Sequence, residues 1–252
     1  MTAKTTRNEP VSVFAIGDFH LPGNTTDKSM EVFGSHWEGH FERIKQDWLT
    51  KVGEEDIVLI PGDISWAMTL DAALDDLNAI AALPGQKIIV RGNHDFWWGS
   101  ITQLRANLPV KVHALQNDAA HIGGLVFCGT RGWACPADET DPENTKIYQR
   151  ELIRLDMSLR HGMKWGEDKK RVVLMHFPPF DAQGGETEVT RLLEKYRVEY
   201  VVYGHIHGAA IKYARNGELN GVAYRLVSCD ALDFSLFRLP VAGASVATVI
   251  PE

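Results

Sequence analysis

The chain is poor in cysteine, has no long apolar run and carries no surplus of positive charge. Its three cysteines, Cys128, Cys135 and Cys229, are odd in number and none stands in C-x-x-C spacing. That excludes a disulfide framework, fits a reducing compartment and makes sulfur an unpromising metal ligand. No stretch reaches the ~20 apolar residues of a membrane-spanning helix. The polar start MTAKTTRNEP lacks the apolar region of a secretory signal. A cytoplasmic location without a membrane partner is the expectation. The formal net charge of −7 weighs against a general nucleic-acid binder, which is usually basic. It does not weigh against a small phosphorylated substrate, because a bound metal supplies positive charge locally. Internal repeats, low-complexity tracts and Pro/Ser-rich linkers are also missing. Residues 1–252 are therefore read as a single domain.

What is present is an alternation of apolar runs and amphipathic stretches. Residues 11–16, 56–60 and 86–91 are strand-like. Between them, Phe41, Ile44, Trp48, Leu49 and Val52 recur at helical spacing over 40–52. Leu70, Ala73, Leu74, Leu77, Ile80 and Ala81 form one stripe from Thr69 to Leu83, with Thr69 to cap it and Pro84-Gly85 to stop it. Further helices are expected at 99–108, 143–160 and 187–197. Further strands are expected at 110–115, 119–129 (broken by Gly123-Gly124), 171–175 and 199–203. Residues 209–249 read as antiparallel strands with a turn at Asn216-Gly217. Alternation through residue 115 implies parallel strands joined by crossover helices, and the β-rich later half implies a second sheet. The expected fold is α/β (α+β), a two-sheet β-sandwich flanked by α-helices.

Five of these runs end in polar residues. Ile88 to Val90 leads into Arg91-Gly92-Asn93-His94-Asp95, an amide oxygen, an imidazole and a carboxylate in a row. The other four end at Asp18-Phe19-His20, Gly62-Asp63, His176 and Gly204-His205-Ile206-His207. Apolar strands that deliver polar groups at their carboxyl ends build sites in open α/β sheets. Singly, each has a plainer reading: Asp95 as a helix N-cap, a lone His as a hydrogen-bonded core residue. In extended chain, Asp18 and His20 face one side, as do His205 and His207, leaving Phe19 and Ile206 for the core.

If the strand ends converge, they offer Asp18, His20, Asp63, Asn93, His176, His205 and His207. Seven N/O donors are too many for one tetrahedral zinc and suit two metals sharing a carboxylate. Two divalent ions against two carboxylates and one hydroxide leave a positive remainder, which suits a phosphate anion.

The ordered set D-x-H, G-D, G-N-H-D, His and G-H-x-H resembles the calcineurin-like metallophosphoesterase superfamily over residues 18–207. The resemblance implies a metallo-dependent phosphatase-like fold and two divalent ions: Mn, Fe or Zn, with Ni or Co admitted. It implies that Asp18, His20, Asp63 and His207 hold one ion, and that Asp63 bridges to a second held by Asn93, His176 and His205. His94 and Asp95 become the catalytic pair. His94 serves the leaving-group oxygen, and Asp95 orients and supports that imidazole. The implied reaction is hydrolysis of a phosphomonoester or phosphodiester by a metal-bound hydroxide. A small phosphorylated substrate is the implied partner, and nucleic acid is not expected. Many members place Asp or Asn a few residues after G-D. This chain has Ile64-Ser65-Trp66, which leaves the surroundings of Asp63 open.

Arg131, in Gly129-Thr130-Arg131-Gly132-Trp133, has a planar fork suited to phosphate, and a surface ion pair explains it equally well. Residues 129–170 are the expected substrate-selectivity insertion. Trp66, Trp97 and Trp98 are assigned to packing ahead of pocket lining. Two other functions share these residues: a non-catalytic metal-binding scaffold and a nuclease. The apolar tail over 232–250 suits an edge strand or an interface, and the sequence leaves the oligomeric state open.

Overall fold

The computed structural model describes residues 11–23, 30–136 and 141–242. The chain opens with β1 (Ser12–Ala15), α1 (His40–Lys51), β2 (Ile57–Ile60), α2 (Leu70–Ala81), β3 (Gln86–Ile89), α3 (Ile101–Asn107) and β4 (Val112–Ala114). It continues through β5 (Ala119–Ile122), β6 (Leu125–Thr130), α4 (Pro142–Gly162), β7 (Arg171–Met175), α5 (Glu188–Lys195) and β8 (Tyr200–Tyr203). It closes with β9 (Gly217–Leu219), β10 (Val222–Leu226) and β11 (Phe237–Ala242).

The first sheet has the order β11-β1-β2-β3-β4 and the second β5-β6-β7-β8-β10-β9. β1 to β4 run parallel, as do β6, β7, β8 and β10, while β5, β9 and β11 are antiparallel edges. The apolar runs are continuous because both faces of each sheet are covered. Val13, Ala15, Ile57, Leu59 and Ile88 point into a core shared with Phe127, Val172, Leu174 and Val202 of the other sheet. Phe14, Val58, Ile60 and Ile89 point outward into a second core under Trp48, Leu77 and Leu104 of the helices. Val126, Val173 and Val201 do the same beneath Leu155 and Leu193 of α4 and α5. The result is the expected two-sheet sandwich with helices outside.

Thr69 caps α2 by accepting the Ala72 N–H, and Pro142 opens α4 behind the Asp141 cap. α4 is the crossover that the parallel pairing of β6 and β7 requires, so it accounts for half of the stretch 129–170. The late hairpin turns at Asn220-Gly221, not at Asn216-Gly217. Both turn residues hold positive φ, 51° and 80°, as a tight two-residue loop demands. β10 then runs parallel to β8, and β11 returns to the first sheet beside β1, so 209–249 is not an antiparallel meander. The tail beyond residue 242 lies outside the described residues. Among the described residues no helix is long and apolar enough to cross a membrane.

Candidate metal centre

The two sheets meet where β1 and β10 end. Gly17 N–H donates to Val227 O at 2.8 Å and Cys229 N–H donates to Gly17 O at 3.0 Å. This junction brings the carboxyl ends of β1, β2, β3, β7 and β8 to one place. There the chain leaves the strand conformation. Asp18, His20, Asp63 and His205 all hold positive φ, 59°, 47°, 50° and 74°. The expected i, i+2 extended alternation therefore does not deliver these side chains; left-handed turns do. Such backbone costs ~1–2 kcal/mol per residue and gathers at functional sites. Phe19 is nonetheless buried in the core of the first sheet's helices, and Ile206 packs against the separate core outside the second sheet.

Two glycines make the convergence possible. Gly62 (φ 89°) and Gly92 stand back to back: a Cβ on Gly62 would lie 2.6 Å from Gly92 Cα. A Cβ on Gly92 would collide with the backbone nitrogen and carboxylate of Asp63.

All seven sequence-derived ligand candidates meet here. His176 Nε2 lies 2.6 Å from Asn93 Oδ1, 3.2 Å from His205 Nδ1 and 3.4 Å from Asp63 Oδ2. His205 Nδ1 lies 2.9 Å from Asn93 Oδ1. On the other side, His20 Nε2 lies 3.5 Å from His207 Nε2 and 3.7 Å from Asp63 Oδ2, while His207 Nε2 lies 3.6 Å from Asp18 Oδ1. Atoms about 2.1 Å from a shared cation lie about 3.0–3.4 Å apart along a polyhedron edge. Asp18, His20 and His207 bring their ligand atoms within 4.8 Å of one another, as do Asp18, Asp63 and His176, somewhat wider than that edge.

The hydrogen-bond pattern accommodates a cation. Pro61 O can only accept, so His176 Nδ1, 3.0 Å away, is the protonated nitrogen. Burial pushes the His176 pKa down to about 3, so the ring is neutral and its Nε2 presents a lone pair. That lone pair faces the Asn93 amide oxygen, another acceptor, at 2.6 Å. A shared metal ion resolves such a contact, as does the Asn93 amide turned over to present its NH₂. His20 is held down to about 3 by burial, and burial also lowers His205 and His94.

The carboxylates tell the same story. Burial, then the charges of Asp95 and Asp18, push Asp63 up to about 9. Burial would raise Asp18 too, but the hydrogen bond and charge of His207 hold it below the carboxylate range. His207 is disfavoured by burial, yet Asp18 and Asp230 raise it to about 10. Without a cation the buried site holds protons on Asp63 and His207 in place of full carboxylate charge.

The resemblance implies that Asp95 supports the His94 ring. Its carboxylate instead accepts N–H from Asp63, Ile64, Ser65 and Gly92 at 2.9, 2.8, 3.2 and 2.7 Å, and from Trp97 Nε1 at 3.0 Å. Among the described residues no hydrogen bond joins it to the His94 side chain. A fully buried carboxylate must gather donors, and the nearest are the N–H groups of two glycine-bent turns. Asp95 thus ties the β2 turn to the β3 turn. His94 N–H donates to Asp63 Oδ1 at 2.8 Å, and its ring lies 4.3 Å from Trp66 and 5.6 Å from His20, at the edge of the ligand group.

Trp66 stacks on His20 at 4.9 Å, so it borders the site, whereas Trp97 and Trp98 are core residues as expected. Ser65 hydrogen-bonds Asp76 of α2 at 2.5 Å, and Asp76 also accepts Gly23 N–H at 2.8 Å. This pair braces the turn where the expected Asp or Asn is lacking. Asp230 escaped the sequence reading. It accepts from His207 Nδ1 at 2.9 Å, and it follows the apolar run of β10 as the other site residues follow theirs. Its segment, Ser228-Cys229-Asp230, has neither a histidine nor the Gly-Asp pair that marked the others.

Two mixed sheets flanked by helices, with candidate metal ligands gathered at their strand ends, are the architecture of the metallo-dependent phosphatase-like class. The family model of the calcineurin-like phosphoesterases matches residues 11–209, and this chain belongs to that family. The Gene 66 protein of Mycobacterium phage D29 is 26% identical over 201 residues, covering 80% of this chain and 81% of its own. TT1561 of Thermus thermophilus superposes with a TM-score of 0.56 at 14% identity, covering 91% and 98% of the two chains. The calcineurin-like phosphoesterase YfkN of Bacillus subtilis does so at 0.52 and 16%, covering 95% and 88%. The family is metal-dependent, and the groups described above are the candidate ligands.

Proposed function

We propose that the protein is a dinuclear phosphoesterase. Asp18, His20, Asp63 and His207 hold one ion, and Asp63, Asn93, His176 and His205 hold the other. The observation that carries this reading is Asp63 Oδ2, which stands between the two ligand groups, 3.4 Å from His176 Nε2 and 3.7 Å from His20 Nε2. Divalent ions bound there acidify water and neutralise charge gathering on phosphate oxygens.

The chain's own residues do the rest. Asp18, buried and held ionised, and Asp63 set the charge of the site. Pro61 O and Asp230 fix which nitrogen of His176 and His207 faces inward. The His94 ring, neutral because burial lowers its pKa, keeps an N–H for the leaving-group oxygen. Asp63 positions it by accepting its backbone N–H. Trp66 covers His20 and His94 from one side and limits water there.

The test is turnover of p-nitrophenyl phosphate and bis-p-nitrophenyl phosphate by Mn²⁺-loaded protein. Release of p-nitrophenol that stops on chelation and returns with metal supports the reading. Protein shown by elemental analysis to carry two ions, yet inert on both esters, overturns it. His94→Gln is expected to lower kcat ~10²–10⁴-fold while metal content is kept.

A further inference from the structure

Beside the metal centre lies a cluster of arginines that the proposed reaction leaves unused. Arg131 O accepts the N–H groups of His176 and Phe177 at 3.1 and 2.9 Å, which anchors Arg131 to the ligand-bearing end of β7. Gly132 (φ 71°) allows the turn to lie flat; a Cβ there would press on Met175 Cε at 3.0 Å and Phe177 Cβ at 3.3 Å. The turn sets Trp133 on Phe177, ring centroids 4.8 Å apart, and the Arg131 guanidinium on Trp133 at 4.5 Å. Phe177 in turn lies 4.1 Å from the His205 ring. Three consecutive contacts thus connect a ligand imidazole to a guanidinium.

The charge around Arg131 is unbalanced. Glu151 of α4, buried, is 3.5 Å from Arg131 and 2.6 Å from Arg154, and accepts from Thr130 Oγ1 at 2.6 Å. Arg91, Arg150 and Arg154 are the other charged groups that act on Arg131. Arg91 immediately precedes Gly92-Asn93, so it leaves the same strand end as a ligand. Among the described residues, the buried Nε of Arg91 and the buried Nε of Arg131 have no hydrogen-bond partner. Arg171, whose guanidinium reaches Gly166 O, and Arg225, which lies on Phe237, carry the same unpartnered buried Nε, so those atoms do not by themselves mark a ligand. The surplus of guanidinium charge over the single Glu151 carboxylate, held beside a phosphoester site, matches a second tetrahedral oxyanion.

We propose that Arg91 and Arg131, with Arg150 and Arg154 behind them, bind a second phosphate of the substrate. The substrate class is then a phosphate ester that carries another phosphate, such as a sugar bisphosphate or a nucleoside diphosphate. The inference rests on the phosphoesterase reading for the scissile group and adds a specificity site to it. It also gives residues 129–170 their selecting role, through Arg131 at their start and Arg150, Glu151 and Arg154 on α4.

The experiment compares metal-loaded wild type, Arg131→Gln and Arg91→Gln. Phosphate release is measured on p-nitrophenyl phosphate, a sugar monophosphate and a sugar bisphosphate. Binding of the two sugar phosphates is measured by calorimetry, which reports even without turnover. Wild type should favour the bisphosphate. Each variant should lose about tenfold or more of that preference, chiefly in KM and in calorimetric affinity. Arg131→Lys should restore only part, because it keeps the charge without the fork. Equal losses on mono- and bisphosphate, or no preference in wild type by either measurement, overturn the proposal. If wild type binds the bisphosphate selectively but hydrolyses none of the three esters, the phosphoesterase reading fails and the anion site stands.

Discussion

His207 Nδ1 and Asp230 Oδ1 are 2.9 Å apart, and Asp230 Oδ2 accepts the neighbouring Gly208 N–H at the same distance. The carboxylate holds both the ring and the backbone beside it. His207 Nε2 is thereby turned toward Asp18 and His20. Partners of this kind orient ligands and raise their basicity. Asp230→Asn is expected to weaken metal affinity ~10–100-fold with the fold retained. Competition with a chelating dye measures it; unchanged affinity would mean that the backbone alone sets His207.

Asp95 joins two turns through four backbone N–H groups and one indole. Asp95→Asn sets an NH₂ against those donors and should cost about 3 kcal/mol in urea denaturation. As a positioning residue it should leave in place whichever limb of the kcat/KM pH profile disappears in His94→Gln. A shift of that limb would restore Asp95 to a direct role beside the imidazole.

Gly92→Ala places a methyl group against the Asp63 backbone. The neighbour is main chain, so it cannot swing aside. A loss of about 3 kcal/mol or more is expected, together with lower metal content. Circular dichroism melting and elemental analysis report the two effects separately.

Without metal, Asp63 keeps its proton up to about pH 9 and His207 up to about pH 10, both above their unfolded values. Raised folded-state pKa values stabilise at low pH, and the contribution is lost as pH rises through them. Metal-stripped protein should therefore lose stability between pH 7 and 10. Metal at 100 times its Kd should add about 2.7 kcal/mol and release protons as it loads. Melting curves with and without metal, and proton release on titration, check both signs.

His113 lies on β4, its Nε2 2.9 Å from Gln86 Oε1. Burial, and then the charge of Lys87, pull its pKa down to about 4. The unfolded chain takes up a proton near pH 6.5 and the folded chain does not. Its contribution is thus present above pH 6.5 and lost as pH falls toward 4. His113→Val should flatten the acid arm of the stability–pH curve over that window. An identical slope in both proteins would sink the assignment.

The candidate ligands were legible in the sequence because each motif is local. An apolar run and the polar residues that end it lie within ten positions, and strand ends are where α/β sheets expose such groups. Alternation of runs and amphipathic stretches was likewise enough for two sheets with helices outside. Other features depended on contacts between distant segments. Asp95 meets Asp63 across 32 residues and His205 meets Asp18 across 187, and no spacing rule reaches that far. The left-handed turns at Asp18, Asp63 and His205, the paired glycines, the Asp230 support and the open arginines beside Glu151 were settled by which backbones came into contact. Periodicity decides which face of an element is buried. Only the packed sheets decide which N–H, carboxylate or guanidinium is left to face another.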